Sequence, residues 1–182
     1  MAENSAFARV SKLAEKSVQA LLREKKTIAV MESCTGGLVS SLLTDISGAS
    51  EVFPCGLATY SNAAKVQSGV DAKLIETEGV YSAACAEAMA RAVQKSCGTD
   101  YAVGVTGTLG RVDPANRDSI PGEVFFCILR AADDAQTANA AEGERTVYEA
   151  FTERIELDPT LPRPAAKLAV AEAVFTRLLP LI

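Results

Sequence analysis

Candidate nucleophiles occur where an early apolar run of the sequence ends. The run from Thr27 to Met31 continues directly into Glu32-Ser33-Cys34-Thr35-Gly36-Gly37. The Ser33 hydroxyl and the Cys34 thiol are therefore the two candidates. The chain contains no histidine, which excludes Ser-His-Asp and Cys-His catalysis and the usual transition-metal ligand sets. Any general base must be a lysine, a tyrosine, an aspartate or a glutamate.

Ser33 is the better candidate, because no histidine is present to deprotonate Cys34 and buried cysteines are common in protein cores. Lys65 and Tyr60, both in the stretch YSNAAK, are the groups that can activate it. An isolated lysine at such a position is usually solvated. A desolvated lysine, however, has a lowered pKa and takes a proton from a serine hydroxyl directly or through a tyrosine. We therefore predict a nucleophilic Ser33 with Lys65 and Tyr60 as its activators.

The Gly36-Gly37 pair lies at a predicted turn from a strand into a helix. Such a turn can serve only to let the chain reverse direction. The turn does not match the GxGxxG, GxxxxGK or GxSxG motifs. It does follow the carboxyl end of a buried strand and precede a helix N-terminus, where open α/β sheets bind ligands and where anions are favoured. We therefore expect a phosphate or an oxyanion to be stabilised there.

Segments typical of strands and helices alternate along the chain and must position these groups. The predicted helices cover residues 5–24, 62–67 and 82–97 and a segment after three prolines near the C-terminus, and the predicted strands cover residues 27–31, 52–60, 101–105, 123–130 and 146–157. A polar loop over 108–121 and a surface excursion over 131–144 complete the pattern. This alternation predicts a three-layer α/β/α sandwich with a mainly parallel, mixed sheet, antiparallel at its C-terminal side, in one domain over residues 1–182.

Composition limits the partners and the location. A formal net charge of −5 without a clustered basic surface argues against nucleic acid. No stretch is long and apolar enough to suggest a membrane span or a signal peptide, so we expect a cytoplasmic protein. The five cysteines are dispersed and include no CxxC pair, which predicts reduced thiols and no zinc site.

Four motifs together resemble one protein family. ESCTGG, YSNAAK, EGVYSAACAEAMA and GVTG have the order and spacing found in the C-terminal domain of the CinA family, the nicotinamide-nucleotide amidase or NMN deamidase domain, and the match spans roughly residues 8–180. The resemblance implies hydrolysis of nicotinamide mononucleotide to nicotinate mononucleotide and ammonia, with no metal and no cofactor. It also suggests a homo-oligomer. Longer members carry a companion N-terminal domain, for which we expect no room in this chain.

The resemblance also assigns roles to individual residues. Ser33 attacks the carboxamide carbon, and Lys65 with Tyr60 acts as base and then as acid. Backbone N–H groups around Thr35, Gly36 and Gly37 hold the oxyanion or the 5′-phosphate. The remaining residues expected to bind substrate are Glu32, Ser61, Asn62, Thr106, Gly107, Arg111 and Arg163.

Two departures from the family pattern concern the substrate. The Gly/Pro-rich loop that usually follows the TG dipeptide is replaced here by a polar segment over 108–121 that contains Arg111. The Gly-Asp-Arg turn near the C-terminus is replaced by Pro162-Arg163-Pro164, so that Arg111 or Arg163 either compensates in phosphate binding or is surface charge. Two alternatives therefore stay open: an amidase for another small carboxamide, and a ligand-binding or assembly module that keeps the pocket without turnover.

Overall fold

Helices and strands alternate along the chain in the computed structural model, which describes residues 2–116, 119–132 and 148–182. In chain order, the elements are α1 (Ala2–Glu24), β1 (Ile28–Glu32), α2 (Leu38–Thr44), α3 (Ala49–Val52), β2 (Cys55–Ala58), α4 (Asn62–Gln67), α5 (Ala72–Glu78), α6 (Ala83–Cys97), β3 (Tyr101–Gly107), β4 (Glu123–Ala131), β5 (Tyr148–Glu156) and α7 (Arg163–Leu178), with a final 3₁₀ turn at Leu179–Leu181.

The five strands form one mixed sheet in the order β2-β1-β3-β4-β5. β1 pairs in parallel with β2 and with β3, whereas β4 runs antiparallel to both of its neighbours. Among the strands that the structure describes, four therefore point in one direction and β4 runs against them. This confirms the predicted mixed sheet with its antiparallel part at the C-terminal side.

Helices cover both faces of the sheet, as the three-layer prediction requires. Alternate residues of β1 point to opposite faces of the sheet. Ile28 and Val30 belong to the core beneath α1, α2 and α7. Ala29 and Met31 point to the opposite core, which α6 covers. Because β1 is buried on both faces, its sequence is a nearly continuous apolar run rather than an alternating one.

Side-chain caps fix the starts of three helices near the sheet edge. The Ser61 hydroxyl accepts a hydrogen bond from the Ala64 N–H at the start of α4, and the Ser82 hydroxyl accepts one from the Cys85 N–H at the start of α6. The Asp71 carboxylate does the same at α5. In each case a short polar side chain satisfies a free N–H of the first helical turn.

Two predicted segments differ from the structure. The strand expected over 52–60 is only Cys55–Ala58, because Ala49–Val52 forms a short helix and Pro54 has no N–H to donate to a strand partner. The excursion expected over 131–144 lies mostly outside the described residues.

Candidate active site

The ends of three neighbouring strands meet at one edge of the sheet. The Ser33 N–H, just after β1, donates to the Val105 carbonyl of β3 at 2.9 Å, and the Thr59 N–H, just after β2, donates to the Glu32 carbonyl at 2.8 Å. The chain leaves β1 toward the layer of α2 and leaves β2 toward the layer of α6. Ser33 therefore lies at a topological switch point, where open α/β sheets place their ligands.

Ser33 and Lys65 form a buried pair at this edge. The Lys65 Nζ donates to the Ser33 Oγ at 2.9 Å and to the Thr59 carbonyl oxygen at 3.0 Å. Lys65 is only 1% exposed and Ser33 only 5%. Burial lowers the pKa of Lys65 below its ordinary value of 10.5, because a charged amine is poorly solvated there. The pair thus has the geometry and the electrostatics of a nucleophile beside a base.

Cys34 has the opposite electrostatic environment. Burial raises the pKa of its thiol to about 12, and the negative charge of Glu32 acts in the same direction. The thiol therefore stays protonated near neutral pH, although the thiolate is the nucleophilic form. The structure favours Ser33 over Cys34, because the Lys65 amine bonds to the Ser33 hydroxyl whereas burial keeps the thiol protonated.

Glu32 holds the turn together and does not line the cavity described below. Its carboxylate accepts hydrogen bonds from the Gly37, Val39 and Ser40 N–H groups at 3.0, 3.1 and 2.8 Å, and from the Ser40 hydroxyl at 2.7 Å. The Gly36 N–H donates to the Ser33 carbonyl at 3.1 Å. Internal acceptors therefore already occupy the Gly36 and Gly37 N–H groups, which the sequence predicted to bind an anion. The Glu32 carboxylate, predicted to contact a substrate, is likewise occupied by donors of the turn and of α2.

Thr106 and Thr35 are also buried away from the cavity. The Thr106 hydroxyl donates to the Val80 carbonyl oxygen at 2.8 Å and is fully buried. The Thr35 hydroxyl is fully buried and has no hydrogen-bond partner among the described residues. Neither side chain lines the cavity, although Thr106 was predicted to contact a substrate.

A cavity of about 430 Å³ opens above Ser33. This volume is within the usual range for small-molecule sites. Six of the predicted site residues besides Ser33 line it, namely Tyr60, Ser61, Asn62, Gly107, Arg111 and Arg163. Arg111 and Arg163, both exposed, bring two cations to it. Lys65 does not line the cavity itself. Its amine lies behind Ser33, to whose hydroxyl oxygen it donates a hydrogen bond.

Tyr60 lines the cavity without contacting the Ser33–Lys65 pair through a hydrogen bond. Its hydroxyl accepts a hydrogen bond from the Arg163 Nη2 at 2.6 Å, and the side chain is 64% exposed. The predicted proton relay through Tyr60 is therefore not formed in this structure. The phenol turns outward at the strand end and lies with Arg163 at the cavity mouth.

Sequence reasoning missed a polar network in the cavity wall. The Asp113 carboxylate accepts hydrogen bonds from the Tyr81 hydroxyl and from the Asn116 side-chain amide, both at 2.6 Å. The Asn62 amide donates to the Asn116 side-chain oxygen at 3.3 Å. The sequence placed Asp113 in the polar loop over 108–121, but its partner Tyr81 is far away in the chain and left no local pattern that points to Asp113.

These features define an α/β protein with a histidine-free Ser–Lys site beneath an open cavity. Comparison with known proteins makes the assignment specific: the family model of the CinA C-terminal domain matches residues 10–157, and the chain belongs to this family. A CinA-like protein of Geobacter sulfurreducens is 38% identical over 144 residues, which are 78% of this chain and 35% of that protein. A CinA-like protein of Chlorobaculum tepidum is 50% identical over 99 residues, which are 54% of this chain and 23% of that protein. The chain thus matches about a third or less of the length of these relatives.

Solved structures show the same fold. The competence/damage inducible protein CihA from Agrobacterium tumefaciens superposes with a TM-score of 0.79 at 25% identity, and 95% of each chain is covered. A competence-damaged protein (CinA) superfamily protein from Escherichia coli superposes with a TM-score of 0.78 at 19% identity over 95% of this chain and 90% of that one. Within the described residues, none of the helices has the length and apolar character needed to cross a membrane.

Proposed function

We propose that this protein is an amidohydrolase in which Ser33 attacks a carboxamide carbon and Lys65 accepts the Ser33 proton, with nicotinamide mononucleotide as the best candidate substrate. The observation that carries the proposal is the buried Lys65 Nζ at 2.9 Å from the Ser33 Oγ, at the floor of an open cavity. The motifs shared with the CinA C-terminal domain support the choice of substrate.

Lys65 has the environment that a base requires. The Thr59 carbonyl accepts a hydrogen bond from Nζ and so orients the amine toward Ser33. In its neutral form the amine takes the proton as the Ser33 oxygen bonds to the carboxamide carbon. The resulting ammonium then gives this proton to the departing nitrogen, which leaves as ammonia. Water, deprotonated by the same amine, hydrolyses the acyl-enzyme to the carboxylate and restores Ser33.

The oxyanion requires hydrogen-bond donors that are not already used. Because the Gly36 and Gly37 N–H groups serve internal acceptors, the candidate donors are the backbone N–H groups of Cys34 and Thr35, which face only the Cys34 sulfur, a weak acceptor, and have no oxygen acceptor among the described residues. Both lie directly after the nucleophile in the chain. Backbone donors that are fixed in position and partly shielded from water stabilise a developing oxyanion strongly.

The cavity mouth supplies the charges that a mononucleotide needs. Arg111 and Arg163 both line the cavity and are candidates to contact the 5′-phosphate. The arginine side chain donates through a planar fork that matches phosphate oxygens. Arg163 is additionally held in place by its hydrogen bond to the Tyr60 hydroxyl. In this proposal Tyr60 positions Arg163, and proton transfer runs through Lys65 alone.

The test is ammonia release from nicotinamide mononucleotide by the purified protein. We expect Ser33→Ala to lower kcat by about 10³-fold or more, because removal of a nucleophile removes the covalent route. Ser41→Ala, on the exposed side of α2, is the matched control and should retain activity. Wild-type activity no higher than that of Ser33→Ala between pH 6 and 9 would refute the proposal for this substrate. Activity lost in Cys34→Ala but kept in Ser33→Ala would instead identify Cys34 as the nucleophile.

A second candidate substrate class follows from the cavity wall. The segment from Thr108 to Asn116, which replaces the family's Gly/Pro-rich loop, contributes half of the residues that line the cavity. This observation favours an amidase for a different small carboxamide. A panel of carboxamides with and without a phosphate separates the two, since a higher kcat/KM for a compound that lacks phosphate would support the second candidate.

A further inference from the structure

The charges of the cavity are arranged in a pattern that the proposed reaction does not by itself explain. Among the described residues that line the cavity, Asp113 is the only carboxylate, opposed by the two cations Arg111 and Arg163. The rings of Tyr60 and Tyr81 also line it. Such a cavity matches a ligand that carries a cationic planar group together with an anionic group.

The structure fixes the Asp113 carboxylate in the wall. One of its oxygens accepts from Tyr81 and Asn116, and the other accepts from the Ala115 N–H at 3.0 Å. The Asp113 N–H donates to the Ser119 hydroxyl at 2.8 Å, which secures the backbone of the turn. A carboxylate anchored in this way acts on a ligand with little cost in side-chain entropy.

Asp113 carries a negative charge at neutral pH, and this charge acts on Lys65 behind the cavity floor. Hydrogen bonds from Tyr81, Asn116 and Ala115 lower the pKa of Asp113, so the group is ionised at neutral pH. Burial lowers the pKa of Lys65, and the negative charge of Asp113 is among the groups that oppose this effect. A ring that extends from a carboxamide at Ser33 toward the cavity mouth therefore lies in the field of Asp113.

We propose that Asp113 is a specificity-determining residue that selects carboxamides whose ring carries a permanent positive charge. The inference rests on the proposed function, since it assumes that the carboxamide binds at Ser33. A nicotinamide ring bonded to ribose through its nitrogen is a pyridinium cation, whereas the same ring after two-electron reduction is neutral. A nearby carboxylate stabilises the first by Coulomb attraction and has little effect on the second.

The binding experiment uses the oxidised and the reduced mononucleotide as probes. Both carry the same phosphate, ribose and carboxamide, so they differ at the ring alone. Calorimetric titration of Ser33→Ala protein, which cannot turn over the ligand, gives the ratio of the two Kd values. We expect the oxidised form to bind more tightly, and a further Asp113→Asn substitution to lower this preference about tenfold. Asparagine preserves the size and one acceptor oxygen, which keeps the bonds from Tyr81 and Asn116, whereas its NH₂ group replaces the acceptor of the Ala115 N–H. A disturbed wall would weaken the binding of both probes alike, and the loss of the charge would weaken that of the oxidised probe alone.

One control variant and three contrary results test the inference. Asp45→Asn, in place of Asp113→Asn, makes the same change of net charge at an exposed site after α2 and should leave the preference unchanged. An equal loss of affinity for both probes in Asp113→Asn would show a purely structural role and overturn the inference, as would an unchanged preference or the binding of neither probe.

Ammonia release by the otherwise wild-type protein separates this inference from the proposed function. A charge preference that depends on Asp113 without ammonia release would keep the inference and reject the amidase proposal. Ammonia release with equal use of both ring forms by wild type and Asp113→Asn would keep the amidase and reject the role of Asp113.

Discussion

Ser33 and Lys65 depend on each other for their chemistry. A serine hydroxyl is a weak nucleophile unless a base removes its proton, and a lysine is a base only when its pKa is lowered. The fold meets both needs by burying Lys65 against the Ser33 hydroxyl and the Thr59 carbonyl. The absence of histidine made this pair predictable from the sequence, since few side-chain types remained that can act as a base.

The lowered pKa of Lys65 predicts the pH dependence of the activity. Below this pKa the amine is protonated and cannot accept the Ser33 proton, so kcat/KM should rise with pH and level off at an apparent pKa below the ordinary 10.5. Well below the apparent pKa, the rise should be about tenfold per pH unit. Initial rates of ammonia release over a pH series measure the profile. Lys65→Arg, which keeps a positive charge that cannot be removed, should be inactive throughout, and a profile that is flat from pH 5 to 10 would contradict a lysine base.

The outward direction of the Tyr60 side chain could not be predicted from the sequence. The sequence predicted that Tyr60 ends a strand and acts with Lys65. In the structure β2 ends at Ala58, and the Tyr60 hydroxyl bonds to Arg163, a residue 103 positions away in the chain. Asp113 depends in the same way on Tyr81. Local patterns identify residue types and spacing, whereas side-chain orientation at a cavity is set by tertiary contacts that no local pattern encodes.

At the scale of elements, the turn between β1 and α2 positions the nucleophile. Glu32 ends β1 and its carboxylate binds N–H groups at the start of α2, so the segment that carries Ser33 is fixed at both of its ends. A carboxylate at a helix N-terminus is also favoured by the helix dipole. The sequence correctly predicted a strand, a glycine turn and a helix here. It predicted Glu32 to bind substrate, whereas in the structure the carboxylate bonds to N–H groups of the turn and of α2.

Glu32→Gln tests this structural role. The substitution keeps the length of the side chain but removes the charge and turns an amide donor toward N–H donors, so we expect a loss of about 2–4 kcal/mol in the free energy of unfolding. The midpoint of urea unfolding measures the loss. Glu51→Gln, in the exposed first turn of α3, is the matched control and should cost less than about 0.5 kcal/mol. Similar midpoints for the two variants would show that the hydrogen bonds of Glu32 contribute little to stability.

At the scale of the whole molecule, the fold was more predictable than the site. Alternating strand and helix segments, together with runs that are apolar on both faces, predicted the layers and the mixed sheet, because burial pattern follows directly from residue type. The boundaries of β2 were wrong where Pro54 interrupted the pattern. A homo-oligomeric state and a cytoplasmic location stay predictions.

Close packing of α6 against the sheet is the contact that holds the second layer in place. Gly104 of β3 lies against the helix backbone, where a Cβ would be 2.1 Å from the Ala86 carbonyl oxygen and 2.6 Å from the Ala90 nitrogen. Gly104→Ala must therefore push α6 away from a buried strand, and we expect it to cost at least about 3 kcal/mol of unfolding free energy. Gly110→Ala is the matched control, because its nearest contact would be an ordinary 3.9 Å, and it should cost less than about 1 kcal/mol. Urea unfolding of the two variants compares them directly, and a Gly104→Ala midpoint equal to that of wild type would show that the helix moves off the sheet without cost.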